Sequence, residues 1–379
     1  MELDEIRKQI DVVDDEIKAL YLKRLELVAN VSSSKKQTGK NVFDPDRERK
    51  IILRVTDGEE EENQIYLKRL YETIFESSRA YQSKRLIERS PFINKLAEEI
   101  NNGKRDFPVR SRVACQGVEG AYSGIASDKL FEIADVTYFK NFDGVFSAVE
   151  KGLCQFGVLP IENSYAGSVN SVYDLMKEHK FYIVKSIKLP IVHNLVANKG
   201  ATTGSIKEIY SHEQAISQCR KYLEKFPNAV VKTCANTAVA AKMVQESGRT
   251  DIAAISSREC AELYGLKILE SGVQDTNGNY TRFILITKDL AVYKGANRIS
   301  IMTTLSHKPG SLNKLLAKFS SLGINLTKLE SRPMTGSDFE FMFYFDFECD
   351  VSQTATQSLL AELDNSSEQF TFLGAYTEV

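Results

Sequence analysis

Apolar residues in the first third of the chain recur at helical spacing. Ile6, Ile10, Val13, Ile17, Leu20, Leu27 and Val31 fall on steps of three, four and seven, which trace one face of a long helix. The pattern predicts a helix from Leu3 to Ser34, on the order of 45 Å long at 1.5 Å per residue. A small domain cannot cover such a stripe by itself, so pairing with a second copy of the chain is expected, as a homodimer or higher homo-oligomer. Gly39 and Pro45 mark a loop, and a short helix follows from Asp46 to Val55. Gly58 and the acidic run from Glu59 to Glu62 precede a third helix, which carries Leu67, Leu70, Ile74 and Tyr81 on one face. Ser90-Pro91 reads as a helix start, with proline at the first helical position. The short connecting helix it opens ends at Asn101-Asn102-Gly103.

From Arg112 the texture changes to short β-rich runs between helical ones: Val113 to Cys115, Phe156 to Leu159, Ile183-Val184, Ile252 to Ile255 and Thr281 to Thr287. This is α/β alternation, and its length suits two lobes. The tail reads strand, helix, strand, strand, helix, strand. Its segments are Ile299 to Thr303, Leu312 to Leu322, Leu326 to Ser331, Phe339 to Phe347 around a turn at Gly336, Thr354 to Leu363 and Phe370 to Tyr376. That order predicts a ferredoxin-like unit. The expected domains are therefore all-α (residues 1–90), a connection (91–108), two-lobed α/β (109–290) and an α+β tail (298–379).

Composition adds exclusions. The 379 residues are 42% hydrophobic and 26% charged, with a formal net charge of −2. No basic surface for nucleic acid or an acidic membrane is implied. No run approaches the roughly 20 apolar residues of a membrane span. The N-terminus is charged from its second residue and lacks the apolar core of a signal peptide, which points to the cytoplasm. Six cysteines stand far apart, and none has metal-ligand spacing with one of the four histidines. Reduced structural thiols, no metal and no cofactor are expected.

Two polar breaks interrupt the helical stripes. Arg24 stands between Leu20 and Leu27, and Lys35 extends the same face one turn past Val31. On the third helix Ser78 occupies the next position of the Leu70-Ile74 stripe, with Gln82 one turn on. A buried guanidinium needs a carboxylate, a path to water or a bound anion. With Asp44, Arg47 and Glu48 nearby, these residues describe a cationic pocket for a compact dianion. Arg7, Arg24, Lys35, the segment Asp44-Pro45-Asp46-Arg47-Glu48-Arg49, Ser78 and Gln82 resemble the all-helical chorismate mutase family over residues 1–90. The resemblance implies that Arg7, from the partner chain, and Arg24 hold the carboxylates of chorismate. It gives Lys35 and Gln82 the ether oxygen and Glu48 the hydroxyl, with Asp44, Arg47 and Ser78 completing the site. A pericyclic rearrangement needs no nucleophile or proton shuttle, only a held conformer and stabilised charge. Val31-Ser32-Ser33-Ser34 departs from the family's glycine, lysine and alanine.

In the α/β region five polar segments sit at strand ends: Gly117 to Ser123, Pro160 to Ser164, Ser211-His212-Glu213-Gln214 with Gln218, Asn236-Thr237-Ala238, and Asn279 to Phe283. As an ordered set they resemble the prephenate dehydratase family over residues 110–290. The implied fold has two lobes of the periplasmic-binding-protein type with the site in the cleft between them. The implied reaction expels hydroxide and carbon dioxide from prephenate. Thr281 would protonate the leaving hydroxide, and Asn163, Ser211 and Gln218 would orient the substrate. Ser123, Glu162, Thr237 and Arg282 are further candidates for prephenate, and His212 is an alternative acid.

In the tail, Lys308-Pro309-Gly310-Ser311-Leu312 and Leu326 to Pro333 resemble the ACT regulatory domain over residues 298–376. The resemblance implies L-phenylalanine as a feedback effector at Gly310, Ser311, Leu312, Glu330, Ser331, Arg332 and Pro333. The sequence thus predicts a bifunctional isomerase and lyase of phenylalanine biosynthesis. A dehydratase preferring arogenate, and a solute-binding protein or ligand sensor without chemistry, are the competing readings.

Overall fold

A computed structural model describes residues 3–38, 44–86, 91–101, 105–305, 309–334, 341–366 and 369–379. Gly39, Ser90, Asn102-Gly103, Lys308 and the Gly336 turn, all singled out in the sequence, lie outside the described residues. The chain forms two compact units, Met1–Lys95 with Thr354–Ser366, and Leu96–Gln353 with Ser367–Val379.

Four helices open the chain: α1 (Leu3–Thr38), α2 (Pro45–Thr56), α3 (Glu61–Leu86) and α4 (Pro91–Asn101). The first part of the alternating region holds β1 (Arg110–Gln116), α5 (Tyr122–Leu130), β2 (Ile133–Phe139), α6 (Phe142–Glu150), β3 (Phe156–Asn163), β4 (Gly167–Ser168), α7 (Asn170–Leu175) and β5 (Tyr182–Pro190). It continues through β6 (Asn194–Ala197), β7 (Glu208–Ser211), α8 (Glu213–Gln218), α9 (Arg220–Leu223), β8 (Val230–Thr233) and α10 (Thr237–Ser247). Then come β9 (Ile252–Ser256), α11 (Arg258–Leu263), β10 (Lys267–Ser271) and β11 (Tyr280–Thr287). The tail is β12 (Arg298–Thr304), α12 (Ser311–Ser321), β13 (Asn325–Pro333), β14 (Phe341–Glu348), α13 (Thr354–Ser366) and β15 (Phe370–Glu378).

In the helical unit α1 and α2 both pack on α3, and α13 also lies along α3. Pro45 belongs to the first turn of α2 rather than to the preceding loop. Asp44 caps that helix by accepting from the Arg47 N–H at 3.0 Å, and proline costs nothing where a helix has no N–H partner to offer. The apolar stripe of α1 stays open in one chain: Ile10 is 52% exposed, Ile17 57%, Leu20 67% and Leu27 59%. No helix among the described residues is long and apolar enough to cross a membrane.

The second unit has two sheets. One runs β10-β6-β9-β7-β8, and the other β13-β14-β12-β15-β5-β11-β3-β1-β2 with β4 beside β3. The chain passes between them twice, from β5 to β6 and from β10 to β11, which gives the two lobes expected. The tail strands carry the order of a ferredoxin-like unit, but they do not form a separate sheet. Strand β15 pairs in parallel with β5 through Thr377↔Lys185 and Glu378↔Ser186. Gly374, at φ 147°, allows this approach, because a Cβ there would lie 2.1 Å from the Ile183 carbonyl oxygen. Tyr376, Tyr344, Met302, Met342 and Leu373 of the tail share one apolar core with Tyr173, Ile183 and Ile284. Among the described residues the six cysteines form no disulfide, and burial pushes the Cys219 thiol up to about 12.

Candidate active sites

In the helical unit the two polar breaks meet. Arg24 Nη1 donates to Ser78 Oγ, which is 4% exposed and itself donates to the Ile74 carbonyl at 2.6 Å. The Arg24 guanidinium lies 5.8 Å from the centre of the Phe75 ring. Tyr21 and Ser77 add a second polar bridge between α1 and α3 at 2.7 Å. Arg7 is exposed and pairs with Asp4 of its own helix at 3.3 Å. Asp44 and Arg47 are exposed, and Glu48 is half-buried. The side chains of Lys35 and Gln82 lie outside the described residues.

In the two-lobed unit one cluster gathers residues from segments far apart in the chain. Asn163 ends β3 and Thr281 lies near the start of β11, and the two are direct partners in the β-ladder. Asn163 Nδ2 donates to Thr281 Oγ1 at 2.9 Å and to Asn279 Oδ1 at 2.7 Å. Asn279 Nδ2 donates to Gln218 Oε1 at 3.0 Å, and Gln218 Oε1 also faces His193 Nε2 at 2.8 Å. Gln214 Nε2 reaches Asn163 Oδ1 at 3.5 Å. Gln214 and Gln218 ride on α8, which follows a strand of the second sheet. The cluster therefore sits where the chain crosses between lobes. The Thr281 hydroxyl accepts one bond, and its own hydrogen meets no acceptor among the described residues. That leaves it able to donate to a bound group. A register shift on β3 beside Arg282/Phe283 marks the strand pair next to this cluster.

Asn163, Gln218 and Thr281, expected in one site, do meet here, and Asn279 and Gln214 join them from the same polar segments. His193 lies between β5 and β6, outside the five polar segments, and no sequence pattern marks it. Ser211 and Ser123 lie apart from this chain of bonds. Ser211 Oγ donates to the Ile255 carbonyl at 2.7 Å, and Ser123 Oγ donates to the Gln116 carbonyl at 2.7 Å. Thr237 is half-buried in the first turn of α10, behind the Asn236 cap. His212 caps α8, its Nδ1 accepting from the Gln214 N–H at 3.3 Å, which commits one of its two ring nitrogens to the helix.

Arg282 and Glu162 require a correction. They pair with each other in the ladder, one residue on from Thr281 and Asn163, so the period of two turns them to the opposite face. There Arg282 donates to Asp346 Oδ2 at 2.5 Å and Tyr376 Oη at 2.7 Å. Its Nε lies 3.1 Å from Glu378 Oε2, close enough for an ion pair but too bent for a hydrogen bond. Burial works against the Arg282 charge, but Asp346, Tyr376 and Glu378 outweigh it and hold the guanidinium protonated. Glu162 accepts from Lys328 Nζ at 2.8 Å. Neither side chain is placed to hold a substrate beside Thr281.

The tail candidates also divide by face. Gly310 takes a left-handed conformation, φ 84°, ahead of Ser311 and Leu312 at the start of α12. On β13, Glu330 accepts from Ser168 Oγ at 2.6 Å, and Arg332 grips Asp174 at 2.9 Å, which holds that carboxyl below its usual range. Ser331 and Pro333 are exposed on the other face. Glu330 and Arg332 thus tie the tail to the first lobe.

A separate cavity of about 780 Å³ is lined by Glu119, Asp128, Tyr138 and Glu259 among others, and contains none of the candidate substrate ligands. Among the described residues no group of His, Cys, Asp and Glu is placed to hold a metal ion.

Comparison with known proteins places these features. The sequence pattern of chorismate mutase type II matches residues 6–83, and that of prephenate dehydratase matches residues 113–291. Arogenate dehydratase/prephenate dehydratase 2 of Arabidopsis thaliana, a chloroplastic protein, is 37% identical over 79% of this chain and 82% of its own length. A solved prephenate dehydratase from Arthrobacter aurescens, in complex with L-Phe, is 28% identical with a TM-score of 0.64, covering 70% of this chain and 90% of its own. A solved quorum-quenching acylase, GqqA, is 30% identical with a TM-score of 0.65, over 71% of this chain and 98% of its own. Several further Arabidopsis relatives are chloroplastic as well. The expectation of a cytoplasmic protein, drawn from the charge of the first residues, does not stand against these relatives.

Proposed function

Because the chain belongs to the prephenate dehydratase family and carries a type II chorismate mutase domain ahead of it, we propose a division of labour among its residues. It is an isomerase and a lyase: it rearranges chorismate to prephenate, then removes water and carbon dioxide to leave phenylpyruvate. In the helical unit Arg24 and Ser78 bind the substrate, with Arg7, Lys35, Asp44, Arg47, Glu48 and Gln82 as the remaining ligands. The exposed α1 stripe supports a homodimer, in which a second copy covers Leu20 and Leu27 and brings its Arg7 to the pocket.

In the two-lobed unit the observation that carries the reading is the Asn163–Thr281 pair. Asn163 donates to the threonine oxygen, so the threonine hydrogen is directed away from protein and toward bound substrate. As the carboxylate leaves as carbon dioxide, its electron pair enters the ring and expels the hydroxyl. Thr281 donates a hydrogen bond to that oxygen as negative charge develops on it. Gln218 binds and orients the substrate, with Ser211 and Thr237 at the edge of the site. L-Phenylalanine is the feedback effector, bound by the tail at Gly310, Ser311, Leu312, Ser331 and Pro333. The L-Phe complex of the Arthrobacter relative supports this reading.

A second reading, arogenate as the dehydratase substrate, is favoured by the names of the plant relatives. Incubating the full chain with chorismate, prephenate and arogenate separately decides between them. Prephenate and phenylpyruvate should accumulate from chorismate. Phenylalanine formed from arogenate, with prephenate left untouched, would select the second reading. A calorimetric titration with phenylalanine should show binding that Gly310→Val abolishes, since valine is strained at that φ.

A further inference from the structure

We propose that His193 is a positioning residue of the dehydratase site: as its Nε2–H tautomer it holds the Gln218 amide with the nitrogen turned to the substrate. The proposal rests on the reading of this cluster as the dehydratase site. Its basis is hydrogen-bond polarity, which starts at the main chain. The N–H groups of Tyr165 and Ala166 donate to one oxygen, Asn163 Oδ1, at 3.0 and 2.9 Å. Backbone N–H groups cannot accept, so the Asn163 amide has one allowed orientation. Its nitrogen must face Thr281 and Asn279. Asn279 Oδ1 is then the acceptor at 2.7 Å, and Asn279 Nδ2 must be the donor to Gln218 at 3.0 Å. The atom it meets is therefore Gln218 Oε1. His193 Nε2 faces that same oxygen at 2.8 Å and can only be a donor. Two backbone N–H groups thus fix a histidine tautomer through three amides.

The opposite arrangement fails at each step. Turning the Gln218 amide over would set its NH2 against the NH2 of Asn279. Turning both asparagines as well would set Asn163 Nδ2 against two backbone N–H groups.

Two buried atoms mark the open ends of the chain. Gln218 Nε2 and His193 Nδ1 have no hydrogen-bond partner among the described residues. The first is a pair of donors without an acceptor, and buried donors are normally satisfied. An oxygen of an anionic substrate would complete it. The second is the lone pair that the Nε2–H tautomer requires. His193 is 3% exposed, and its backbone is tied to the returning segment: its N–H donates to Gln274 Oε1 at 3.0 Å, and its carbonyl accepts from the Val273 N–H at 2.9 Å. Burial lowers the pKa of the ring, against a smaller opposing effect of Gln218, which keeps it neutral. A neutral, rigidly mounted donor sets the direction of an amide without adding charge to a site that handles an anion.

The test uses the full chain with His193→Gln, which keeps a donor at the end of the side chain, and His193→Leu, which removes it. His193→Leu should lower dehydratase kcat/KM roughly 10- to 100-fold, the usual effect of unpairing a buried polar group. His193→Gln should stay within about threefold of the parent. Mutase turnover should be unchanged in both. Nitrogen-15 NMR of the unliganded protein should find the His193 hydrogen on Nε2. A hydrogen on Nδ1, a His193→Leu variant with parental kcat/KM, or equal impairment of both variants would each overturn the proposal. A parent chain that dehydrates neither prephenate nor arogenate would overturn the site reading instead, and the tautomer would still decide the role of His193.

Discussion

The helical unit and the two-lobed unit solve the same problem, holding a small anion, with different degrees of closure. Across α1 and α3, Arg24 and Ser78 meet, yet on the same helix Leu20 and Leu27 remain 67% and 59% exposed, and Arg7 pairs with Asp4 of its own helix. On the proposed reading, that site is half-built in a single chain. In the two-lobed unit, His193, Gln218, Asn279, Asn163 and Thr281 form an unbroken run of hydrogen bonds anchored on two main-chain N–H groups. The three amides there each have one permitted orientation. In the proposed homodimer the helical site gains its last walls by association. The α/β site gains its order from the strand ladder and needs no second chain to define its donors.

The comparison is tested most severely by Thr281→Ala. If the hydroxyl acts on the leaving oxygen, dehydratase kcat should fall roughly 100- to 10,000-fold. KM should change much less, and mutase activity should persist. Equal rises in KM with unchanged kcat would make Thr281 a binding residue only.

Next in size is the opposite face of the same strand. Removing one partner of a buried ion pair costs up to about 3–5 kcal/mol, and less where a second carboxylate, here Glu378, still faces the guanidinium. Asp346→Asn should therefore lower the thermal midpoint strongly, because Arg282 stays buried among Tyr376, Ser300 and Glu378. Replacing both partners, Arg282→Met with Asp346→Leu, should recover much of the loss. A double variant as unstable as Asp346→Asn would show that shape, not unpaired charge, is at issue.

Arg24→Ala tests the half-built site. A hydrogen bond from a charged donor in a partly desolvated pocket is worth about 1.5–3 kcal/mol, or roughly 10- to 150-fold in mutase kcat/KM. Dehydration of supplied prephenate should be unaffected. If Leu20→Glu leaves both the sedimentation coefficient and the mutase rate unchanged, the single chain is already complete and the contrast between the sites fails.

Much of this was legible in the sequence, and the limits are physical. The heptad-like stripe of α1 exposes Arg24 as an anomaly because a 3.6-residue period over about seven turns leaves little ambiguity. Asn163 and Thr281 are 118 residues apart, and no local pattern pairs them; only resemblance did. The facing of Arg282 and Glu162 is itself readable from the strand register. Once Thr281 faces the cleft, strand alternation sends Arg282 the other way. The joining of β15 to β5 was not readable, since Thr377 and Lys185 meet through tertiary packing of segments that carry no mutual signal. The polarity of the His193 chain was equally hidden, because it depends on where two backbone N–H groups point.

The smallest expected effect is a pH dependence that belongs to the α/β site alone. Burial depresses the pKa of His193 below its usual 6.5. In the unfolded chain that ring takes up a proton near its usual value, whereas in the folded chain it does so only at lower pH. Between the two values the unfolded state binds more protons, so stability decreases as the pH is lowered. The contribution is complete above pH 6.5 and is lost progressively as the pH falls toward the folded-state value. Urea unfolding of the parent and of His193→Gln at a series of pH values isolates it, because glutamine does not titrate. The stability difference, parent minus variant, should be flat above neutrality and should shift against the parent on acidification. The Arg24→Ala variant should follow the parent throughout, since its altered site contains no buried histidine. A difference that stays constant across the whole range would mean that the His193 ring is as free to ionise in the folded chain as in the unfolded one, and the closure ascribed to this site would be wrong.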